Sequence, residues 1–217
     1  MNRVKQTFTV LILLFGTSAL MAQNSTNTNE KVLYNLPASV AYMGDYLGTK
    51  PGINFSFENS LRNTFLTKRN SKMVERMLYN PISLGWFHHK GYNSALMLSS
   101  GIGLRNTRQN GFITGTQVDA GLMRTFIHGT TYLITDDGDV STVAGGYFYG
   151  YFSLSLEAGW DFTKTNKNLP FSTFVRLKPL VQFPYNSGTL IHIMAEIGIR
   201  TALPFQKKIN EYHKSKK

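Results

Sequence analysis

Few residues in this chain combine the types and spacing that chemistry needs, and His192 with Glu196 comes nearest. The two lie four apart in a stretch that alternates apolar and polar residues, so they share one face of a strand. A histidine beside a carboxylate could serve as the general base of a hydrolase. Met194 stands between them where a nucleophile would be useful, which leaves Ser153 and Ser155, two strands away, as spatial substitutes. The plainer reading of the pair is an internal network of salt bridges and hydrogen bonds. His88 and His89 are adjacent, and neighbouring strand residues point to opposite faces, so they cannot easily share one metal ion. Asp136, Asp137, Gly138 and Asp139 lack the ligand spacing and closing glutamate of a calcium loop; Asp-Gly between apolar runs is first a hairpin turn. Gly101, Gly103, Gly145 and Gly146 precede no helix that could hold a phosphate. No metal site and no cofactor is expected.

The elements that position these residues are strands. From Tyr147 to Phe162 one face carries Phe148, Phe152, Leu154, Leu156, Ala158, Trp160 and Phe162, the other Tyr147, Tyr149, Tyr151, Ser153, Ser155, Glu157 and Asp161. Seven further runs alternate in the same way, divided by Gly, Pro, Asn and Asp: about Leu36 to Leu47, Gly52 to Phe65, a third around Ile82 to Phe87, Ala95 to Arg105, Gln117 to Ile134, Ser172 to Phe183 and Ile191 to Leu203. In the fifth, the strand runs on through His128 and Gly129. The polar faces gather Asp119, Glu157, Arg176, Lys178, His192, Glu196 and Arg200 among many glycines and serines, while the other faces hold Phe, Leu, Ile, Val and Trp. Apolar faces outward and paired charges in a narrow lumen fit a membrane barrel better than a soluble barrel with an apolar interior. The expected fold is therefore all-β, an eight-stranded antiparallel up-and-down transmembrane β-barrel.

Composition agrees. The chain has 217 residues, a formal charge of +11 and no cysteine, so neither disulfides nor a lipidated cysteine hold it. Arg3 and Lys5 precede an apolar run from Phe8 to Phe15 that is too short to span a membrane as a helix, and small residues lead to Ala22. Residues 1–22 read as a signal peptide, with cleavage after Ala22 preferred over Ala19. Residues 23–35 read as a flexible leader, 36–205 as the barrel and 206–217 as a basic tail. Losing Arg3 and Lys5 leaves 21 basic residues against 12 acidic ones, about +9.

The signal, the run Pro51-Gly52-Ile53-Asn54-Phe55-Ser56-Phe57-Glu58, the run Gly129-Thr130-Thr131-Tyr132 with its Asp-Gly turn, and Phe183-Pro184-Tyr185-Asn186 together resemble small outer-membrane β-barrel proteins of Bacteroidota. The resemblance implies fold and location and carries no defined biochemical role. Outer-membrane lipid A deacylases pair a histidine with a serine two residues on, a place held here by Met194. The expected function is a non-enzymatic structural or interaction module of the cell envelope, with a lipid-modifying enzyme and a narrow channel as alternatives. Partners would be outer-membrane lipids, lipopolysaccharide among them, or an envelope protein; nucleic acid is not expected. With both termini in the periplasm, one rim collects Arg62, Lys68, Arg69, Lys72, Arg105, Arg108, Lys164, Lys167, Lys207 and Lys208. The opposite links hold Lys50 and Lys90 against Asp136, Asp137 and Asp139.

Overall fold

Alternation over long stretches leaves the backbone one way to satisfy its donors and acceptors, which is to pair every strand on both sides. The computed structural model describes residues 30–215 apart from 46–47, 68–72, 135–136, 138, 144, 167 and 186–187. The expected signal peptide, and the leader as far as residue 29, lie outside the described residues. The strands are β1 (Glu30–Asp45), β2 (Gly52–Thr67), β3 (Met73–His89), β4 (Asn93–Arg108), β5 (Phe112–Ile127), β6 (Thr131–Ile134), β7 (Val140–Val143), β8 (Phe148–Asp161), β9 (Phe171–Tyr185) and β10 (Gly188–Ser215). Eight of them form the barrel, each antiparallel to the next, and β10 returns to pair with β1 and close the ring. The remaining two, β6 and β7, form a separate hairpin in the link between β5 and β8.

Side-chain alternation becomes an inside and an outside. On β2, Ile53, Phe55 and Phe57 are 44–57% exposed while Asn54, Ser56 and Glu58 are 1–4% exposed. The exterior continues through Leu84, Leu98, Val118, Leu154, Leu156, Val175, Leu177, Ile197 and Ile199.

The fifth strand ends sooner than its pattern predicts. Gly129 takes φ +110°, a conformation open to glycine and strained for other residues, and it turns the chain out of the barrel wall. Thr131–Ile134 then pairs with Val140–Val143 instead of with the barrel. On β3, Pro81 cannot donate to the ladder, and Asn80 Nδ2 supplies a donor to the Gly101 carbonyl at 2.6 Å.

The two chain ends differ most from expectation. The first strand starts at Glu30, not near Leu36, and β10 extends to Ser215 through what reads in the sequence as a tail. Ala38–Met43 of β1 pairs with Gly52–Phe57 of β2, but Glu30–Asn35 pairs only with Gln206–Glu211 of β10. The register shifts between Asn35 and Pro37, where Pro37 and Pro204 both lack a donor. Past that shift Asn210–Ser215 lies parallel beside Arg62–Thr67 of β2, so at this end β10 occupies the place that β1 holds higher up. Ile209 and Tyr212 are buried there, the Arg62 guanidinium lies 4.0 Å over the Tyr212 ring, and the Tyr34 hydroxyl donates to Glu211.

Candidate functional site

Inward-facing side chains divide the lumen into layers. The register sets Arg105 opposite Gly115, Gly115 opposite Glu157, Glu157 opposite Arg176 and Arg176 opposite Glu196, one row across five strands. Because Gly115 has no side chain, Arg105 reaches across it to Glu157, Nε to Oε1 at 3.2 Å. Arg105 also grips Glu58 with both terminal nitrogens, at 2.7 and 2.6 Å, and Arg200 Nε adds a third bond to Glu58 at 2.9 Å. Glu157 takes Arg176 and Arg200 at 2.7 Å each, and Glu196 takes Arg176 at 2.8 Å and Asn54 at 3.0 Å. Lys178 lies 3.6 Å from Glu196 and 3.9 Å from Asp119, whose oxygens also accept from Gln117 and Ser153.

Four cations thus face four carboxylates, all buried. Such charges are tolerated out of water only when each is paired and hydrogen-bonded. Phe174 lies beneath Arg176 and Arg200, at 4.8 and 4.7 Å, and Tyr79 beneath Arg105 at 4.6 Å. The Tyr79 ring in turn occupies the space that a side chain on Gly103 would need.

Above this layer, Met43, Phe87, Ala95, Met97, Met123, Tyr151, Leu180 and Met194 form an apolar plug. Between the two remains a gap of about 10 Å³, roughly the space of a single water.

Beyond the plug, at the end distant from the termini, is a vestibule of about 220 Å³ lined by Lys50, Phe87, His89, Tyr92, Asn93, Met123, Thr125, Tyr149, Gln182, Leu190 and His192. Lys50 Nζ is 3.0 Å from His192 Nδ1, and His192 Nε2 is 3.0 Å from Gln182 Oε1. Burial pushes the Lys50 ammonium below its ordinary range, and the Asp45 carboxylate pulls it back only in part. At the terminal end, a second recess of about 190 Å³ is bounded by Glu75, Thr107, Asp161, Thr163, Arg105 and Arg200, among others.

Of the residues singled out in the sequence, Asp119, Glu157, Arg176, Lys178, Glu196 and Arg200 come together in the charged layer. His192 does not; it belongs to the vestibule. The partners of His192 are Lys50 and Gln182, whereas the oxygens of Glu196 are held by Arg176 and Asn54. Ser153 Oγ donates to Asp119 at 3.2 Å, and Ser155 Oγ is buried without a hydrogen-bond partner among the described residues. Arg105 is expected at the rim and lies instead in the lumen, because it keeps the inward parity of Gly101 and Gly103. Glu58, left out of the expected network, anchors one side of it.

At the terminal rim, Arg108 is exposed and packs over Phe112, Lys164 pairs with Glu75 at 2.9 Å, Lys207 donates to Asn59, and Lys208 is exposed. Arg62 is half-buried against Tyr212. Lys68, Arg69, Lys72 and Lys167 lie outside the described residues, as do Asp136 and Gly138 of the acidic turn.

His88 and His89 do part to opposite faces. His89 stacks on Tyr92 within the vestibule, while His88 faces outward, where its Nδ1 and His128 Nε2 lie 3.1 and 3.0 Å from Ser94 Oγ. That trio ties the tops of β3 and β4 to the residue that follows β5, and it has no local sequence signal, since its members come from three separate stretches of the chain. Among the described residues, no group of three or more His, Cys, Asp or Glu side chains could hold a metal ion.

No protein-family model matches the sequence, and no curated protein matches it either. Among solved structures, the chain is similar to Neisserial surface protein A, with 9% identity and a TM-score of 0.42 over 79% of this chain and 96% of that one. It is also similar to the beta domain of the Bordetella autotransporter Brka, with 12% identity and a TM-score of 0.36 over 76% and 68%.

Proposed function

We propose that this chain is an outer-membrane β-barrel that serves the cell envelope as a non-enzymatic structural or interaction module. The observation that carries the reading is the inversion of the usual protein plan, a closed barrel with apolar side chains around its outside and paired charges within. Each square ångström of apolar surface left in water forgoes about 25 cal/mol, and soluble monomers rarely expose a contiguous apolar patch beyond a few hundred square ångströms. Hydrocarbon removes that penalty, and a closed ring leaves no unpaired backbone edge to face it. A soluble barrel that carries apolar ligands would have the opposite arrangement.

The filled lumen favours a module over a channel, and the separate partners of His192 and Glu196 favour it over a lipid hydrolase. With both termini in the periplasm, Arg108, Lys164, Lys207 and Lys208 would meet anionic headgroups of the inner leaflet or an acidic periplasmic partner, each such charge being worth about 1 kcal/mol near the membrane. The grouping with small Bacteroidota barrels rests on the sequence motifs. Fractionation tests the reading: the processed protein should collect with the outer membrane and migrate differently on a gel before and after heating. Recovery wholly in the soluble periplasmic fraction would overturn it.

A further inference from the structure

The vestibule at the distal end is a blind cup. Phe87 and Met123 belong both to its lining and to the plug beneath, so whatever enters meets a floor and must leave by the same mouth. Its walls carry a lysine and two histidines, and among the described residues no carboxylate lines it. Asp45, the acid next to Lys50, is turned to the chain between them: its oxygens accept from the Thr49 amide at 2.6 Å, the Thr49 hydroxyl at 2.6 Å and the Lys50 amide at 3.2 Å, and its charge acts on the Lys50 ammonium without a direct hydrogen bond to it.

Lys50 therefore differs from the cations deeper in the lumen. Arg105, Arg176, Lys178 and Arg200 each lie within 4 Å of a carboxylate. The Lys50 ammonium is partly buried, and its partner is an imidazole nitrogen at 3.0 Å. To accept from Lys50 at Nδ1 and donate to Gln182 from Nε2, that imidazole must be neutral. An ammonium partly withdrawn from water, with a neutral ring on its Nζ and Asp45 offsetting its burial only in part, keeps the capacity to pair with a further anion.

We propose that the vestibule binds a small organic anion, its phosphate or carboxylate group seated on Lys50 with His89 and Tyr92 beside it, and its ring or short apolar part resting on Phe87, Met123 and Leu190. A cup of 220 Å³ holds about seven water volumes, the room for a compact head and one ring rather than a lipid. The inference rests on the barrel reading above and adds to it a ligand class and a place. A lumen that conducts nothing can still present a binding site to the medium outside.

Calorimetric titration of the purified, folded barrel in zwitterionic micelles tests this, with phenyl phosphate, inorganic phosphate and phenol as probes. Phenyl phosphate should bind one per chain and saturate, inorganic phosphate at least tenfold more weakly because it lacks the floor contact, and phenol not at all. Lys50→Met and Lys50→Gln should each weaken phenyl phosphate at least tenfold, whereas Lys90→Met, which removes an exposed charge from the neighbouring turn, should leave it unchanged. The proposal is overturned if phenyl phosphate shows no saturable binding, if binding survives both Lys50 variants, or if inorganic phosphate binds as well as phenyl phosphate. The same preparations are checked for heat-modifiable migration. Its loss from the wild-type protein would count against the barrel itself, while its retention without binding would remove only the ligand site.

Discussion

Replacing Glu157 with glutamine perturbs the charged layer where it is most concentrated. The carboxylate is contacted by three guanidiniums, at 3.2 Å from Arg105 and 2.7 Å from both Arg176 and Arg200. Glutamine keeps the shape and one acceptor oxygen but turns an amide toward the arginines, leaving four buried cations against three carboxylates. Removing one partner of a buried pair costs about 3 to 5 kcal/mol. At about 1.4 kcal/mol per factor of ten, that is two to nearly four orders of magnitude in the folding equilibrium. Arg200→Gln in the same chain restores the balance, because Glu58 keeps the bidentate bond from Arg105 and Glu196 keeps Arg176. The double variant should therefore be less damaged than the two single costs summed, by at least about 1 kcal/mol of coupling. Urea unfolding in lipid vesicles, followed by heat-modifiable migration, measures all three. A cost below about 1 kcal/mol for Glu157→Gln, or additivity within about 0.5 kcal/mol, would show that water shields these groups and that pairing does not organise the lumen.

Other outcomes follow from the packing and the topology. Gly103→Ala should destabilise by about 1 to 3 kcal/mol, since its new methyl would stand 2.2 Å from the Tyr79 ring, and the same unfolding assay should find Gly85→Ala nearly neutral, with its nearest neighbour at 3.5 Å. Planar-bilayer recording of the purified protein should show no steady single-channel current, because the plug and the charged layer leave about 10 Å³ between them; regular unitary steps would contradict the filled lumen. An epitope inserted at Gly138 should be reached by antibody on intact cells and one after Lys217 only once the outer membrane is opened. The reverse pattern would invert the barrel.

Much of this architecture is written locally. The alternation in β2, β8 and β10 states which residues share a face, because a strand has a period of two wherever it is placed. Height within the lumen is another matter, since it depends on how far each strand slides past its neighbours. Glu58 and Arg105 both show inward parity in the sequence. Yet Arg105 sits near a turn and reads as rim, and only the register through Gly115 reveals that it reaches Glu157. The overrun of β5 has a similar cause: Thr131 to Ile134 prolongs a strand-like pattern, but its partner is Val140 to Val143, a pairing that competes with the barrel and wins after Gly129 turns the chain. The early start of β1 was hidden because its partner lies at the far end of the sequence. Nor does any local pattern announce the vestibule, whose Lys50 and His192 are separated by 142 positions.

The seam between β1 and β2 is the weakest mechanical joint of the ring. It joins only Ala38–Met43 to Gly52–Phe57, whereas β2 and β3 are paired from Gly52–Phe87 through to Thr67–Met73. Below the seam the wall is completed by the end of β10 lying along β2. The end of β10 thus works as a latch on the shortest joint in the ring. Hydrogen bonds along β1 and β2 should exchange with solvent sooner than those of the other joints, and trimming the chain after Phe205 should quicken that exchange without unpairing β9 from β10. A barrel fastened in this way has a preferred place to yield, and its upper end, Met43 opposite Gly52, lies two residues from the Lys50 of the cup.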